Sequence, residues 1–295
     1  MWRNRESAEI REEKQNKNDE KADKKKMERE KKEKRRGERR ARKQEKNIRE
    51  KTELITDNSE IIEKILEDNP LLRQKKIICF DLYWTLIYRP HTHWKTKHFL
   101  KKVWIEPFKK YYEIIQTHGK EYVKTAYESV DGFKMPNRVI HALQKHTDEE
   151  VKNTKIYPKA LWVLKKLKNS WYKLALISNL SQDFEAPLRR LIPNDVFDYE
   201  ALSYDLWVMK PDARIFKKVL DDANSGQPQQ SEEIKMKDML MIWDTQKHDV
   251  DWAKNVWMDA ILIDRNEKNI NYDEEKDSII IHTLADLLDI LWIDY

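Results

Sequence analysis

Short apolar runs that stop abruptly at a carboxylate or hydroxyl constrain this chain more than any other feature. "KIICF" (76–80) runs into Asp81, "YKLALIS" ends on Ser178, and "MLMIW" (239–243) runs into Asp244. "AILID" (260–264) repeats the pattern, and "SIIIH" (278–282) offers a fifth run. The runs are short and continuous rather than alternating, which marks strands buried on both faces. Between them lie helical patterns. "YPKALWVLKKLKNS" sets Ala160, Leu161, Leu164 and Leu167 on one side, and "DARIFKKVLDDA", "DVDWAKNV" and "TLADLLDIL" also read as helices. Buried strands alternating with helices predict an α/β fold, a Rossmann-like three-layer core around a parallel sheet. Ligands of such sheets sit beyond the carboxyl ends of the strands, where Asp81, Ser178 and Asp244 fall.

Charge divides the chain. Residues 1–50 hold 21 Lys/Arg against 13 Asp/Glu, a net of +8, while the whole 295-residue chain is only +5. Residues 1–56 have too few apolar side chains for a core, so a disordered or solvated helical tail is expected. Its basic segment within 1–50 suits weak contact with nucleic acid or an acidic surface. Residues 57–74 read as a short helix and linker, capped by Asp57 and closed at Asn69-Pro70. The core is expected over 75–88 and 158–295, interrupted by a helical insertion over 89–157. The single cysteine, Cys79, allows no internal disulfide and fits a reducing compartment. No apolar run approaches the ~18 residues of a membrane span, and the N-terminus has no apolar region of signal type. A cytoplasmic protein is expected.

The strand-end residues suit phosphoryl transfer. A carboxylate such as Asp81 can attack phosphorus and form an acyl phosphate. A hydroxyl (Ser178) and an ammonium (Lys210 in "VMKPD") can hold and neutralise phosphoryl oxygens. Further carboxylates, Asp244 and Asp249 in "WDTQKHD", suit Mg²⁺, a hard cation that prefers oxygen.

In this order, "DLYWT", Ser178, Lys210-Pro and "WDTQKHD" resemble the four motifs of the haloacid dehalogenase (HAD) superfamily, over about residues 75–290. The resemblance implies a subfamily I hydrolase, with residues 89–157 as its helical cap. Asp81 is then the nucleophile, and Ser178 and Lys210 orient the phosphoryl group. Mg²⁺ is held by Asp81, the backbone carbonyl of Tyr83, Asp244 and Asp249; Tyr83 counts among the catalytic residues, and Thr85 and Asn179 bind substrate. The implied substrate is a small phosphorylated metabolite.

Tyr83 departs from the pattern, because family phosphatases carry a second aspartate there as general acid/base. Tyrosine resembles the 2-haloacid dehalogenase branch, which displaces halide without a metal. The fourth motif resembles the metal-binding phosphatases instead. Three readings follow: first, a phosphatase using another acid from the cap, where one of His91, His93, His98, Arg89 and Lys95 could assist; second, a dehalogenase; third, a catalytically weak relative tethered by its basic tail to RNA or an acidic partner.

Glycine is scarce, four against eleven tryptophans. Six tryptophans stand where the family pattern or the backbone expects glycine. Trp84 and Trp243 lie in motifs one and four, and Trp207 leads into motif three. Trp171 and Trp257 each follow a helix and precede a strand, and Trp252 sits where a helix packs on the sheet. The expectation is glycine encoded by UGA, a codon that some bacterial lineages read as glycine and others as tryptophan. The Lys-, Ile- and Asn-rich composition fits an AT-rich genome. UGG codons at 84, 243 and 257 would contradict it.

Overall fold

Seven strands form one sheet in the order β5-β4-β1-β6-β7-β9-β8. In chain order, these are β1 (Ile77–Phe80), β4 (Lys173–Ser178), β5 (Tyr199–Leu202), β6 (Met239–Trp243), β7 (Asp259–Ile263), β8 (Asn271–Asp273) and β9 (Ser278–Ile281). Every pairing is parallel except β8 with β9. A separate antiparallel pair joins β2 (Ile87–Tyr88) to β3 (Lys155–Ile156). The computed structural model describes residues 39, 58–90, 137–225, 232–244, 256–274 and 278–294. The chain divides into two units, Met1–Ser59 and Glu60–Tyr295. Nearly all of the basic tail, residues 91–136 of the insertion, most of "DVDWAKNV", Asp249 and Trp252 lie outside the described residues.

The four apolar runs that define the core form strands within one residue of their expected limits, and their alternate residues serve different faces. Ile78 and Phe80 join Leu174, Leu176, Leu240 and Ile242 in one buried cluster. Helix α3 (Ala160–Asn169) covers that face with Ala160, Val163, Leu164 and Leu167, while Leu161 is half-buried. Helices α4 (Glu185–Leu191) and α7 (Asp286–Ile290) add Leu188, Leu287 and Leu288 there. Ile77, Cys79, Ala175, Met239 and Met241 face the other way, under Ile215, Phe216 and Val219 of α6 (Ala213–Ser225). Both faces of the parallel sheet are therefore sealed, as its apolar strands require.

Three features differ from the sequence expectation. The sheet has an antiparallel edge at β8, the half-exposed strand β5 was not foreseen, and "TLADLLDIL" yields only the five-residue α7. The expected helix before Asn69-Pro70 is present as α1, residues 58–68. Of the insertion, helix α2 (Asn137–Asn153) is described, and it leads directly into β3.

Candidate active site

Strand register brings the chemistry together. Phe80 lies level with Leu176 on one side and Ile242 on the other. Asp81, Ser178 and Asp244 therefore lie at the ends of three adjacent strands, at the same edge of the sheet. The Asp81 backbone N–H donates to the Ile242 carbonyl at 3.0 Å, extending the ladder one residue past β1. Beyond it the chain turns sharply: the Leu86 and Ile87 N–H groups both donate to the Leu82 carbonyl, at 2.9 and 3.0 Å.

Lys210 arrives from the loop after the short helix α5 (Ser203–Leu206). Its Nζ donates to Asp81 Oδ1 at 2.7 Å, with both side chains nearly buried. A cis Lys210–Pro211 bond precedes α6. Asn179 sets the position of Lys210: Lys210 N donates to Asn179 Oδ1 at 2.7 Å, and Asn179 Nδ2 donates to the Lys210 carbonyl at 3.1 Å. Both halves of that amide are thus engaged with backbone. Ser178 is buried at the end of β4. Leu180 just beyond donates to Ser203 Oγ at 2.8 Å and accepts from it at 3.2 Å, tying the motif-two loop to α5.

Tyr83 is buried and its hydroxyl lies 3.5 Å from the Phe184 carbonyl. Burial pushes its phenol up to about 12, against a smaller opposing pull from Arg89. It is therefore neutral and a poor proton donor at neutral pH. The Phe184 ring meets it edge-on at 5.9 Å, and the Arg89 guanidinium covers both rings, at 4.6 and 4.9 Å. Arg89 also pairs with the buried Glu150 of α2 at 2.6 Å, so one guanidinium touches Tyr83, Phe184 and α2. Beside this group Asp183 is largely buried, which raises its carboxyl, with a further push from Asp148.

Arg265, which sequence reasoning missed, holds the motif-one loop. It donates to the Trp84 carbonyl and, at 2.7 Å, to the Thr85 carbonyl, and its guanidinium stacks 3.5 Å from the Tyr157 ring. It lies just past β7 at the same sheet edge, a position that the strand pattern alone marks. Burial lowers its guanidinium, and Asp244 and Tyr157 oppose that shift. Thr85 is buried, and its Oγ1 has no hydrogen-bond partner among the described residues.

Asp81 and Asp244 are the hard oxygen donors in this group. Lys210 engages Oδ1 of Asp81, and no described donor engages Oδ2. Such a set fits a cation that binds through one or two carboxylates. Among the described residues no group of three His, Cys, Asp or Glu side chains forms a metal cluster. The further ligand expected from the sequence, Asp249, lies outside them. No helix among the described residues is long and apolar enough to cross a membrane.

A mostly parallel sheet with an aspartate–lysine pair at its carboxyl edge has the layout of α/β proteins that bind their ligands beyond the strand ends. The chain belongs to the haloacid dehalogenase-like hydrolases, whose family profile matches residues 78–263. It is 33% identical over 120 residues to an uncharacterized protein of Saccharomyces cerevisiae, a match covering 38% of this chain and 40% of that one. The chain thus spans less than half the length of that relative. Among solved structures it is similar to a 2-haloacid dehalogenase of Pseudomonas syringae, with TM-score 0.50 and 19% identity over 74% of this chain and 98% of that one. That likeness shows the fold. A HAD phosphatase from Thermococcus onnurineus aligns at TM-score 0.47 and 20% identity, over 73% of this chain and 97% of that one.

The expected tryptophans divide. Trp84, Trp171, Trp207 and Trp257 have positive φ, and so does Trp292, which the sequence reading did not single out. Trp243 does not: it ends β6, buried and edge-on to Phe216 at 6.5 Å, so glycine at that position rests on the motif alone.

Proposed function

We propose that this hydrolase is a Mg²⁺-dependent phosphomonoester hydrolase working through an aspartyl-phosphate on Asp81, on a small phosphorylated substrate. The observation that carries the reading is the Lys210 ammonium 2.7 Å from Asp81 Oδ1, with the Asp244 carboxylate following the neighbouring strand. Oδ2 of Asp81 attacks phosphorus, the bond to the leaving oxygen breaks, and the acyl phosphate forms. Lys210 keeps Asp81 oriented and offsets negative charge in the transition state. Ser178 supplies a hydroxyl at the adjacent strand end. Water then attacks phosphorus, releasing inorganic phosphate and restoring the carboxylate. Mg²⁺, held by Asp81, the Tyr83 carbonyl, Asp244 and Asp249, would neutralise the phosphoryl oxygens.

Tyr83 is not the proton donor in this scheme, because burial keeps its phenol protonated and weakly acidic. Asp183 suits that role. Its carboxyl is raised by burial, and its neighbour Phe184 packs against Tyr83. The second reading is a 2-haloacid dehalogenase, in which Asp81 displaces halide from carbon. A neutral, buried tyrosine at position 83 favours it. One comparison tests both. The phosphatase reading expects phosphate release from a panel of phosphomonoesters with Mg²⁺, abolished by chelation and by Asp81→Asn. Halide release from a 2-haloacid that survives chelation would overturn it.

A further inference from the structure

Five of the seven described tryptophans, Trp84, Trp171, Trp207, Trp257 and Trp292, hold the backbone in the left-handed region, with φ from 56° to 71°. Lys159 is the one other described non-glycine residue with positive φ. A residue with a Cβ crowds its own backbone there, and a bulky one more so. Asn and Asp tolerate the region best, yet no described Asn or Asp occupies it. All four glycines, Gly37, Gly119, Gly132 and Gly226, lie outside the described residues. The described fold therefore meets five of its six left-handed positions with tryptophan and none with glycine.

Two of the positions share one hydrogen-bond signature. After α3, Tyr172 N donates to the Leu167 carbonyl and Trp171 N to the Lys168 carbonyl, both at 3.2 Å. After α7, Ile293 N donates to Leu288 at 2.9 Å and Trp292 N to Asp289 at 3.2 Å. Each is a Schellman motif with its apolar contact, Tyr172 with Leu167 or Ile293 with Leu288, and each puts tryptophan at the C′ residue, where glycine belongs. Trp207 ends α5 in the same conformation, at φ 59° and ψ 21°.

Burial does not offset the strain at four of the five positions; Trp84 alone packs partly against the core. Trp171 is 94% exposed, Trp257 83%, Trp292 76% and Trp207 65%. An indole left in water returns little of the ~1.5–3 kcal/mol that burying a large apolar side chain yields. Arg73 lies 3.9 Å over the Trp292 ring, a contact of the small exposed cation–π kind. Trp162 is different: it sits inside α3, half-buried, with an ordinary helical backbone.

From these conformations we infer that the protein made in its own cells carries glycine at positions 84, 171, 207, 257 and 292. A UGA codon read by a glycine-charged tRNA supplies the means, since a translation table that assigns UGA to tryptophan writes Trp at each such codon. The inference stands apart from the proposed reaction. Its sharpest consequence for the site is at position 84, where the exchange removes an indole from the loop that Arg265 holds beside Asp81 and Tyr83.

Peptide mass spectrometry of the protein isolated from its source cells tests this directly. Glycine is expected at 171 and 292, encoded by UGA; tryptophan there, or UGG codons, overturns the inference. Denaturant unfolding of the recombinant full chain gives a second test. Trp171→Gly and Trp292→Gly should each raise the folded-to-unfolded ratio about fivefold or more. Trp162→Gly, in a helix interior, should lower it. A loss of stability at 171 and 292 like that at 162 would overturn the inference.

Discussion

Replacing Lys210 with methionine removes a charge from the site while keeping most of the side chain's bulk. In the folded chain the ammonium and the Asp81 carboxylate are 6% and 14% exposed and meet at 2.7 Å. Breaking a fully sealed pair costs about 3–5 kcal/mol, mostly because the survivor's charge is left uncompensated. Asp81 keeps some contact with water, and methionine preserves the apolar stem, so Lys210→Met should cost about 2–3 kcal/mol. In an Asp81→Asn background no charge is stranded, and the same change should cost distinctly less. A double-mutant cycle by denaturant unfolding should therefore show a coupling of about 1–3 kcal/mol. Lys210→Met should also lower kcat/KM by roughly 10²–10³. Additivity within ~0.5 kcal/mol would refute the pairing and the role built on it.

Asn179→Ala strips both amide contacts from the Lys210 backbone and leaves the N–H it served without that partner, so a loss of about 1–3 kcal/mol should appear in unfolding, with reduced turnover. Arg265→Lys cannot hold two carbonyls and stack on Tyr157 at once, and should cost about 1–2 kcal/mol while lowering kcat. Tyr83 ionises near 10 when unfolded and at about 12 when folded. The unfolded chain sheds that proton first as pH rises, so about 2–3 kcal/mol of stability, present below pH 10, should be lost between pH 10 and 12. Tyr83→Phe should flatten that loss and keep most of the activity. Asp183→Asn, by contrast, should slow substrates with poor leaving groups, read as kcat across a leaving-group series, by roughly 10²–10⁴.

The core strands were legible because a strand buried on both faces has no polar position to disguise it. β1, β4, β6 and β7 are runs of this kind, and each delivers a chemistry-bearing residue to one edge. β5 was not legible. Its "YEAL" is half-exposed, and Glu200 faces Arg189 of α4, so neither a continuous nor a clean alternating pattern appears. β2 and β3 are two residues each, too short for any period. At the site, Asp81 and Lys210 were readable from their place after strands and before Pro211. Arg265 was not, because its work is done on backbone carbonyls that no side-chain motif announces. The amide of Asn179 points the same way: sequence marks it as a neighbour of Ser178, and only the fold reveals its hold on Lys210. Trp292 shows a third limit. Its left-handed turn follows the helix read from "TLADLLDIL", but the pattern that marked its twin at Trp171 also asked for a strand directly after the turn.

The central claim is a covalent phosphoryl group on Asp81. Acid quenching during turnover of a phosphomonoester with Mg²⁺, followed by peptide mass spectrometry, measures it directly. The peptide containing Asp81 should carry one phosphoryl group, and Asp81→Asn should carry none and release no phosphate. Sustained phosphate release by Asp81→Asn, or an organic ester on Asp81 formed from a haloacid, would contradict the account.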